Sequence, residues 1–332
     1  MVISRTPFRV SFFGGGTDYP AWYNHNPGAT LATTIDKYCY ITLGYLPPFF
    51  ACKYRIVYSK WEMPKKLSEI QHPSVRETLR FMNIKRGISL QHVGDLPART
   101  GMGSSSSFTV GLLNALYALK GKIVTKKQLA LEAIEIEQNW MKENIGSQDQ
   151  VSVSFGGLNK IEFKKGRNNI EVTPITIDLK RIKLFHDHLM LFFTGFSRIA
   201  SEVAGEQIKN IPLKNKELAE IYAMVNEAIN VLNDNKSLDN FGRLLHKSWL
   251  IKRTLSSKIT NSRIDEIYQA ARRAGAIGGK ILGAGGGGFM LLFVKPELQP
   301  KVRKKLKDLL YVPFKFDDLG SQIIYYRPDN NF

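Results

Sequence analysis

Small residues crowd segment 96–107, which has the composition of a phosphate-binding loop. It contains two glycines, Gly101 and Gly103, followed by four successive serines, and it has no acidic residue. A strand-like alternation at 87–93 precedes it, and an apolar run with helical spacing at 108–119 follows it. Glycine lets backbone N–H groups approach a ligand, and a helix start supplies unpaired donors. A serine N-cap behind a flexible loop is the alternative, but two glycines and four serines favour an anion site.

Four charged residues could act beside such a loop. Asp149 adjoins an apolar run, where a lone carboxylate is costly unless paired, so it accepts a proton, binds a cation or caps a helix. Glu137 comes late in a predicted helix, against the macrodipole, although a solvated helix face explains it as well. Asp18 follows three glycines and could cap a turn. Arg9 alternates with apolar residues, so it lies on a solvent face or is a buried cation with a carboxylate partner.

The predicted elements indicate how these residues are positioned. A strand at 8–13 leads into the first glycine turn, and a helix at 125–143 ends before a glycine and the second acidic segment. Strands dominate the first half and helices the second, without regular alternation. This mixture predicts an α+β protein with two domains, 1–186 and 187–332.

Length and composition limit the class of protein. The chain has 332 residues, enough for two domains, with 43% hydrophobic and 23% charged residues. Its N-terminus lacks an apolar signal region, and no apolar stretch approaches about 18 residues. Two cysteines are too few for a disulfide framework. The sequence therefore predicts a cytoplasmic protein without a membrane partner.

The net charge of +18 raises the question of nucleic-acid binding. The basic residues form separate short clusters, and no recognition helix, zinc or RNA-binding signature accompanies them. A small polyanionic substrate explains the charge as well as nucleic acid does, and a basic host proteome explains it better still. Nucleic-acid binding is kept as an alternative of a different class, and it predicts strongly salt-dependent association.

Three glycine-rich loops, at 14–16, 101–103 and 283–288, narrow the kind of nucleotide site. The third has dinucleotide-binding spacing, but a strand follows it where that motif requires a helix. None is a Walker A motif, and neither an HRD-type loop nor DFG is present, which excludes a protein kinase. Any nucleotide would be bound by another scheme.

Three motifs together resemble the GHMP kinase superfamily, named for galactokinase, homoserine kinase, mevalonate kinase and phosphomevalonate kinase. They are 9–19 (RVSFFGGGTDY), 97–106 (PARTGMGSSS) and 280–288 (KILGAGGGG), and the resemblance covers essentially the whole chain. One such loop is a weak signal, whereas three in this order are a strong one. FFGGGTDYP, and GSQDQ followed by FGGLNKIEF, are most similar to D-glycero-D-manno-heptose 7-phosphate kinases and next to fucokinase-type sugar kinases.

The resemblance implies a ribosomal S5-like N-terminal domain, a ferredoxin-like C-terminal domain and a site between them that uses ATP and Mg²⁺. Asp149 would be the base, and Arg9 would keep its carboxylate ionised and stabilise developing charge. Mg²⁺ would bind Ser105 and Glu137. The residues that would wrap the ATP phosphates are Gly101, Met102, Gly103, Ser104, Ser105 and Ser106. The residues implied on the acceptor side, of which the last two would close against the phosphate loop, are Gly15, Gly16, Thr17, Asp18, Gly285 and Gly286.

One departure bears on the substrate. Galactokinases have an acidic residue and a histidine where this chain has Gly15 and Gly16. The change removes a hydroxyl acceptor and leaves space, which favours a bulkier or phosphorylated sugar over galactose. Taken with this departure, the resemblance implies phosphorylation of D-glycero-D-manno-heptose 7-phosphate at C1, with L-fucose as the alternative acceptor.

A substrate that already carries phosphate needs a second cationic pocket. Arg198, with Lys247 and Lys252 behind it, is the candidate for that pocket. The partners expected are therefore a sugar phosphate and ATP, with no nucleic acid, and a homo-oligomer is possible.

Overall fold

Two sheets with helices packed against them form the structure, a computed structural model that describes residues 1–166, 169–195, 200–234 and 236–327. In these ranges the helices are α1 (Pro20–Tyr23), α2 (Pro73–Phe81), α3 (Ser104–Leu119), α4 (Lys126–Glu135), α5 (Gln148–Phe155), α6 (Leu179–Asp187), α7 (Ala200–Asn210), α8 (Asn215–Asn233), α9 (Asp239–Lys252), α10 (Ser262–Ala274) and α11 (Gln299–Lys305). The predicted α+β class agrees with this arrangement of separate sheets and helices.

The larger sheet has nine strands in the described part of the chain. They are β1 (Val2–Phe13), β2 (Gly28–Tyr45), β3 (Tyr54–Val57), β4 (Trp61–Glu62), β5 (Ile88–Gly94), β6 (Asn159–Phe163), β7 (Ile170–Pro174), β12 (Phe316–Asp317) and β13 (Gln322–Tyr326). The long strand β2 pairs with β1 along most of its length, with β6 near its start and with β5 near its end. At its C-terminal end, β1 continues directly into the glycine turn at 14–16.

Helix α3 is the central helix behind this sheet. It packs across β1 and β2, and its side chains are buried almost throughout. A glycine in its middle permits the close approach: a Cβ on Gly111 would lie 2.8 Å from Thr6 Oγ1, and Ser4 Oγ donates to the Gly111 carbonyl at 2.8 Å. The start of α3 is thereby fixed beside the end of β1.

The smaller sheet has four strands among the described residues. Its strands are β8 (Leu189–Phe193), β9 (Ala276–Ile281), β10 (Phe289–Val294) and β11 (Leu310–Tyr311), and their pairings are antiparallel. After this sheet the chain returns to the larger one, where β13 pairs with β1 and β12 with β2. The boundary at 186/187 stays a prediction.

Aromatic rings join the two halves of the molecule. Phe241 of α9 is fully buried, with its ring centroid 5.7 Å from Phe12 and 5.1 Å from Phe13 of β1. It also contacts Phe185 of α6 at 4.7 Å and Phe293 of β10 at 5.6 Å. The core is therefore continuous from one sheet to the other. Among the described residues, no helix has the length and apolar character that crossing a membrane requires.

Replacing Phe241 by alanine should test this junction. We expect the Phe241→Ala variant to lose about 3–5 kcal/mol of unfolding free energy, because a large buried ring leaves a cavity. Urea denaturation measures the loss. Leu213→Ala is the control, since that side chain is 81% exposed, and its effect should stay within about 0.5 kcal/mol. Equal effects of the two substitutions would contradict the assignment.

Candidate active site

A cavity of about 840 Å³ opens where the end of β1, the start of α3 and the start of α5 meet the loops of the smaller sheet. Its size is in the range of small-molecule sites. Charged and polar groups gather at its floor, and those used below are Arg9, Asp18, Ser105, Glu137, Asp149, Lys252 and Lys280. The three glycine loops, distant in sequence, all reach this cavity through Gly15, Gly16, Gly101, Gly103 and Gly283.

A buried ion pair joins β1 to α5 on the cavity floor. Arg9 is 2% exposed, and its Nε and Nη2 atoms each donate to an Asp149 carboxylate oxygen at 2.8 Å. Its Nη1 donates to the Gly101 carbonyl at 2.6 Å. Arg9 is thus a buried cation with a carboxylate partner, the second of the two alternatives left open by its sequence pattern. Asp149 lies in the first turn of α5, and its side chain is 14% exposed toward the cavity.

The loop at 101–103 ends where α3 begins. Gly103 has φ +75°, and a Cβ there would lie 3.2 Å from Arg9 Cγ and 3.4 Å from Asp149 Oδ2. The N–H groups of the first turn of α3 have no intrahelical acceptor and carry the positive end of the helix dipole. The loop therefore offers backbone donors directly beside the ion pair.

The six residues assigned to ATP by resemblance divide into two groups. Gly101, Gly103, Ser104 and Ser105 line the cavity. Met102 is fully buried in the hydrophobic core, and its backbone carbonyl accepts from the Arg9 N–H at 3.0 Å. Ser106 is also fully buried and points to Glu137.

Glu137 lines the same cavity and lies in a single π-helical turn, Ile136–Trp140, that continues α4. Its carboxylate is fully buried and accepts from Ser106 Oγ and Thr109 Oγ1, each at 2.8 Å, and from Gln150 Nε2. Ser105 Oγ lies 3.5 Å from Oε1. Burial raises the pKa of Glu137 to about 7, although these hydrogen bonds favour the ionised form.

The glycine turn at 14–16 carries the second carboxylate of the floor. Asp18 is buried, its Oδ1 accepts from the Gly16 N–H at 2.9 Å, and burial raises its pKa above the usual value. Gly15 faces open space, since a Cβ there would meet only Gln148 Nε2, at 3.8 Å. Thr17 is fully buried instead, bonds to the Gly14 and Ala29 carbonyls, and holds the turn without lining the cavity.

The third glycine loop packs against the second. A Cβ on Gly283 would lie 2.5 Å from the Gly101 Cα, so both positions require glycine. Gly285 and Gly286 lie further along and contact Ile259, to whose carbonyl the Gly286 N–H donates at 2.8 Å. Neither of these two residues lines the cavity.

The cationic pocket predicted around Arg198 is only partly described, since Arg198 lies outside the described residues. Lys247 pairs with Glu220 at the surface and does not line the cavity. Lys252 and Lys280 do line it, and both are buried. No role was predicted for Lys280. The burial of Lys252 could have been predicted, because it follows Trp249 by three residues and so lies on the same apolar face of α9.

Comparisons with known proteins identify the family of the chain. The models "GHMP kinases N terminal domain" and "GHMP kinases C terminal" match residues 72–157 and 213–312. D-glycero-alpha-D-manno-heptose 7-phosphate kinase of Campylobacter jejuni is 29% identical over 317 residues, covering 92% of both chains. The L-fucokinase/L-fucose-1-P guanylyltransferase of Bacteroides fragilis is 24% identical, covering 97% of this chain and 38% of that protein.

A solved structure shares the whole fold. A D-glycero-D-manno-heptose 1-phosphate kinase from Bacteroides thetaiotaomicron superposes with a TM-score of 0.80 at 21% identity, covering 98% of this chain and all of that one. The predicted two-domain GHMP kinase architecture is confirmed by this likeness and by the two domain matches. The chain therefore belongs to the GHMP kinase family and is a phosphotransferase.

Proposed function

We propose that the protein is an ATP- and Mg²⁺-dependent sugar 1-kinase that converts D-glycero-D-manno-heptose 7-phosphate into the 1,7-bisphosphate. The observation that carries the proposal is the bidentate Arg9–Asp149 pair beside the backbone donors of the 101–103 loop. This arrangement brings a carboxylate within reach of an acceptor hydroxyl and next to a phosphate cradle. Phosphoryl transfer needs these groups and little other covalent chemistry from the protein.

ATP fits the cavity at two points. Its phosphates would meet the N–H groups at the start of α3, where a helix N-terminus favours anions. Its base would lie against an aromatic wall in which His72 stacks on Phe108, with ring centroids 4.6 Å apart. Burial lowers the pKa of His72 to about 4, so this ring is uncharged at neutral pH and suits an uncharged adenine.

Mg²⁺ fits the environment of Glu137. This carboxylate is fully buried, and no lysine or arginine among the described residues lies within ion-pair distance of it. The described residues hold no cluster of three His, Cys, Asp or Glu side chains, but Mg²⁺ is commonly bound by one or two carboxylates and by substrate phosphates. Glu137 and the Ser105 hydroxyl would hold the ion, which neutralises charge on the phosphate oxygens when bound.

The residues of the floor would handle the acceptor. Asp149 would take the proton of the C1 hydroxyl as its oxygen forms the new bond to the γ-phosphorus and the bond to ADP breaks. Arg9 fixes the direction of that carboxylate through two parallel hydrogen bonds. Asp18, oriented by the Gly16 N–H, would accept a neighbouring sugar hydroxyl.

The choice of acceptor rests on the relative from Campylobacter jejuni and on the space at Gly15. That relative is named a heptose 7-phosphate kinase and aligns with 92% of this chain. The open space at Gly15 suits a sugar with a long side chain. L-fucose is the second candidate, because the fucokinase relative from Bacteroides fragilis aligns with 97% of this chain.

Asp149→Asn should separate chemistry from binding. Loss of the general base should lower kcat by about 10²- to 10⁴-fold, while ATP affinity stays as in the wild type. Steady-state kinetics and ATP titration measure the two effects. Asp308→Asn, at an exposed position, is the control and should leave both unchanged. Unaltered kcat in Asp149→Asn would remove the proposed base.

Magnesium dependence should follow the ionisation of Glu137. Burial raises the pKa of Glu137 to about 7, and the side chain binds the ion only in its ionised form. Acidification should therefore weaken Mg²⁺ binding. The half-saturating free Mg²⁺ concentration, measured at constant MgATP, should rise by up to about tenfold per pH unit below pH 7. In Glu137→Gln it should be high at every pH and nearly flat. A wild-type value that does not change between about pH 6 and pH 8 would contradict the assignment.

A side-by-side turnover assay tests the acceptor. ADP release is measured with D-glycero-D-manno-heptose 7-phosphate and with L-fucose at matched enzyme concentrations. We expect kcat/KM for the heptose phosphate to be higher by about 10²-fold or more, because a site that pairs with the polar groups of its substrate rejects analogues that lack them. A higher kcat/KM for L-fucose would mean that L-fucose, and not the heptose phosphate, is the acceptor. The proposed kinase activity would still stand.

A further inference from the structure

Two buried lysines line the floor of the cavity without a carboxylate partner. Lys252, the last residue of α9, is 6% exposed, and Lys280 of β9 is 3% exposed. In the described ranges, neither ammonium lies within ion-pair distance of an acidic side chain. Asp18 and Asp149 act on Lys252 only from further away. A buried charge is costly unless it is paired, and an anion bound in the cavity would offset that cost for both lysines.

Each ammonium has hydrogen-bond donors to spare. Lys252 Nζ donates to the Gly283 carbonyl, and Lys280 Nζ donates to the Phe12 carbonyl at 2.9 Å. A lysine ammonium carries three N–H groups, and the described part of the chain uses one on each residue. Burial lowers the pKa of Lys252 to about 8 and holds the pKa of Lys280 well below its usual value, and the positive charge of Arg9 adds to both shifts. Two buried amines with unused hydrogen-bonding capacity face one cavity, and an anion bound there would stabilise their protonated forms, so the pair constitutes an anion site.

The backbone partners of the lysines locate this site within the cavity. Gly283 packs against Gly101 of the phosphate loop, so Lys252 reaches the nucleotide side. Phe12 leads into the glycine turn that carries Gly15 and Gly16, so Lys280 reaches the acceptor side. The two ammonium groups therefore belong between the two substrates.

We propose that Lys252, assisted by Lys280, binds the phosphoryl group while it passes from ATP to the acceptor, which makes Lys252 a further catalytic residue. This inference rests on the proposed kinase function. The acceptor oxygen bonds to the γ-phosphorus, the bond from that phosphorus to the ADP oxygen breaks, and the hydroxyl proton goes to Asp149. Lys252 keeps its proton and donates hydrogen bonds to non-bridging phosphoryl oxygens, whose charge is stabilised by fixed donors in a water-poor site.

The same two ammonium groups could instead meet the phosphate that the acceptor already carries. In a heptose 7-phosphate that group is seven bonds from the reacting oxygen, whereas Lys252 has Arg9 and Asp149, the pair at the reacting atom, among its nearest charges. The contacts therefore favour the transferred group, and the two sources are separable by titration.

The first test uses ADP, Mg²⁺ and aluminium fluoride, which imitate the transferred phosphoryl group without any acceptor. Calorimetry of wild-type protein should give tighter ADP binding when fluoroaluminate is present. In Lys252→Met this gain should shrink by about 10- to 100-fold, as expected for the loss of a charge-assisted hydrogen bond, while binding of ADP alone is unchanged. Lys247→Met, on the same helix but paired with Glu220 at the surface, should behave as the wild type. An undiminished gain in Lys252→Met overturns the proposal.

A second measurement separates catalysis from a structural role. Lys252→Met removes an unpaired buried charge, so its melting temperature without ligand should equal or exceed the wild-type value. A lower melting temperature with equal losses of ADP and ADP–fluoroaluminate binding would make Lys252 only a support for the Gly283 carbonyl, and would overturn the proposal. Lys280→Met is the second variant, and we expect a smaller loss of the same fluoroaluminate gain.

The last arm distinguishes the two phosphate sources. D-glycero-D-manno-heptose with and without its 7-phosphate is titrated against wild type and Lys252→Met in the absence of nucleotide. Equal affinities in the two proteins support the transferred group. A selective loss of the phosphorylated sugar in the variant assigns the lysine to the acceptor phosphate and overturns the proposal. If neither sugar binds the wild type, the proposed acceptor is wrong, and the fluoroaluminate titration still decides the role of Lys252.

Discussion

The ion pair between Arg9 and Asp149 is the contact on which the arrangement of the cavity floor depends. It ties β1 to α5, and through the Gly101 carbonyl it also ties both to the phosphate loop. Removing two charges from water is costly, and the pair is tolerated because each of the three side-chain nitrogens of Arg9 donates to an acceptor. A shift of β1 by one residue would turn Arg9 to the opposite face of the sheet, so the register of this strand and the site are fixed together.

The glycines are the second constraint. Segments 101–103 and 283–288 touch backbone to backbone, because a side chain at Gly101 or Gly283 would overlap the other loop. Gly103 permits a similarly close approach of the backbone to the ion pair, since a side chain there would crowd Arg9 and Asp149. The loops at 101–103 and 283–288 therefore meet through close approach of backbone. This contact brings residues from both halves of the chain to one cavity.

Much of this could be predicted from local sequence, because glycine loops, the helix after them and the strand-rich first half depend on residue types and periodicity. The side of β1 on which Arg9 lies could not, since both faces of that strand are buried and alternation does not distinguish them. The direction of the Met102 and Ser106 side chains, which point into the protein interior, depends on how α3 packs. The positions of Lys252 and Lys280, and the return of β13 to β1, follow from pairings between residues distant in sequence.

We propose that the Arg9–Asp149 pair aims an acceptor hydroxyl at a phosphate held by the start of α3. The most direct test is a crystal structure with Mg²⁺, a non-hydrolysable ATP analogue and D-glycero-D-manno-heptose 7-phosphate. We expect the C1 hydroxyl within about 2.6–3.2 Å of an Asp149 oxygen, Arg9 still paired with Asp149, and the γ-phosphate on the N–H groups of Ser104–Ser106. A sugar or a γ-phosphate bound elsewhere, with Asp149 touching neither, would contradict it.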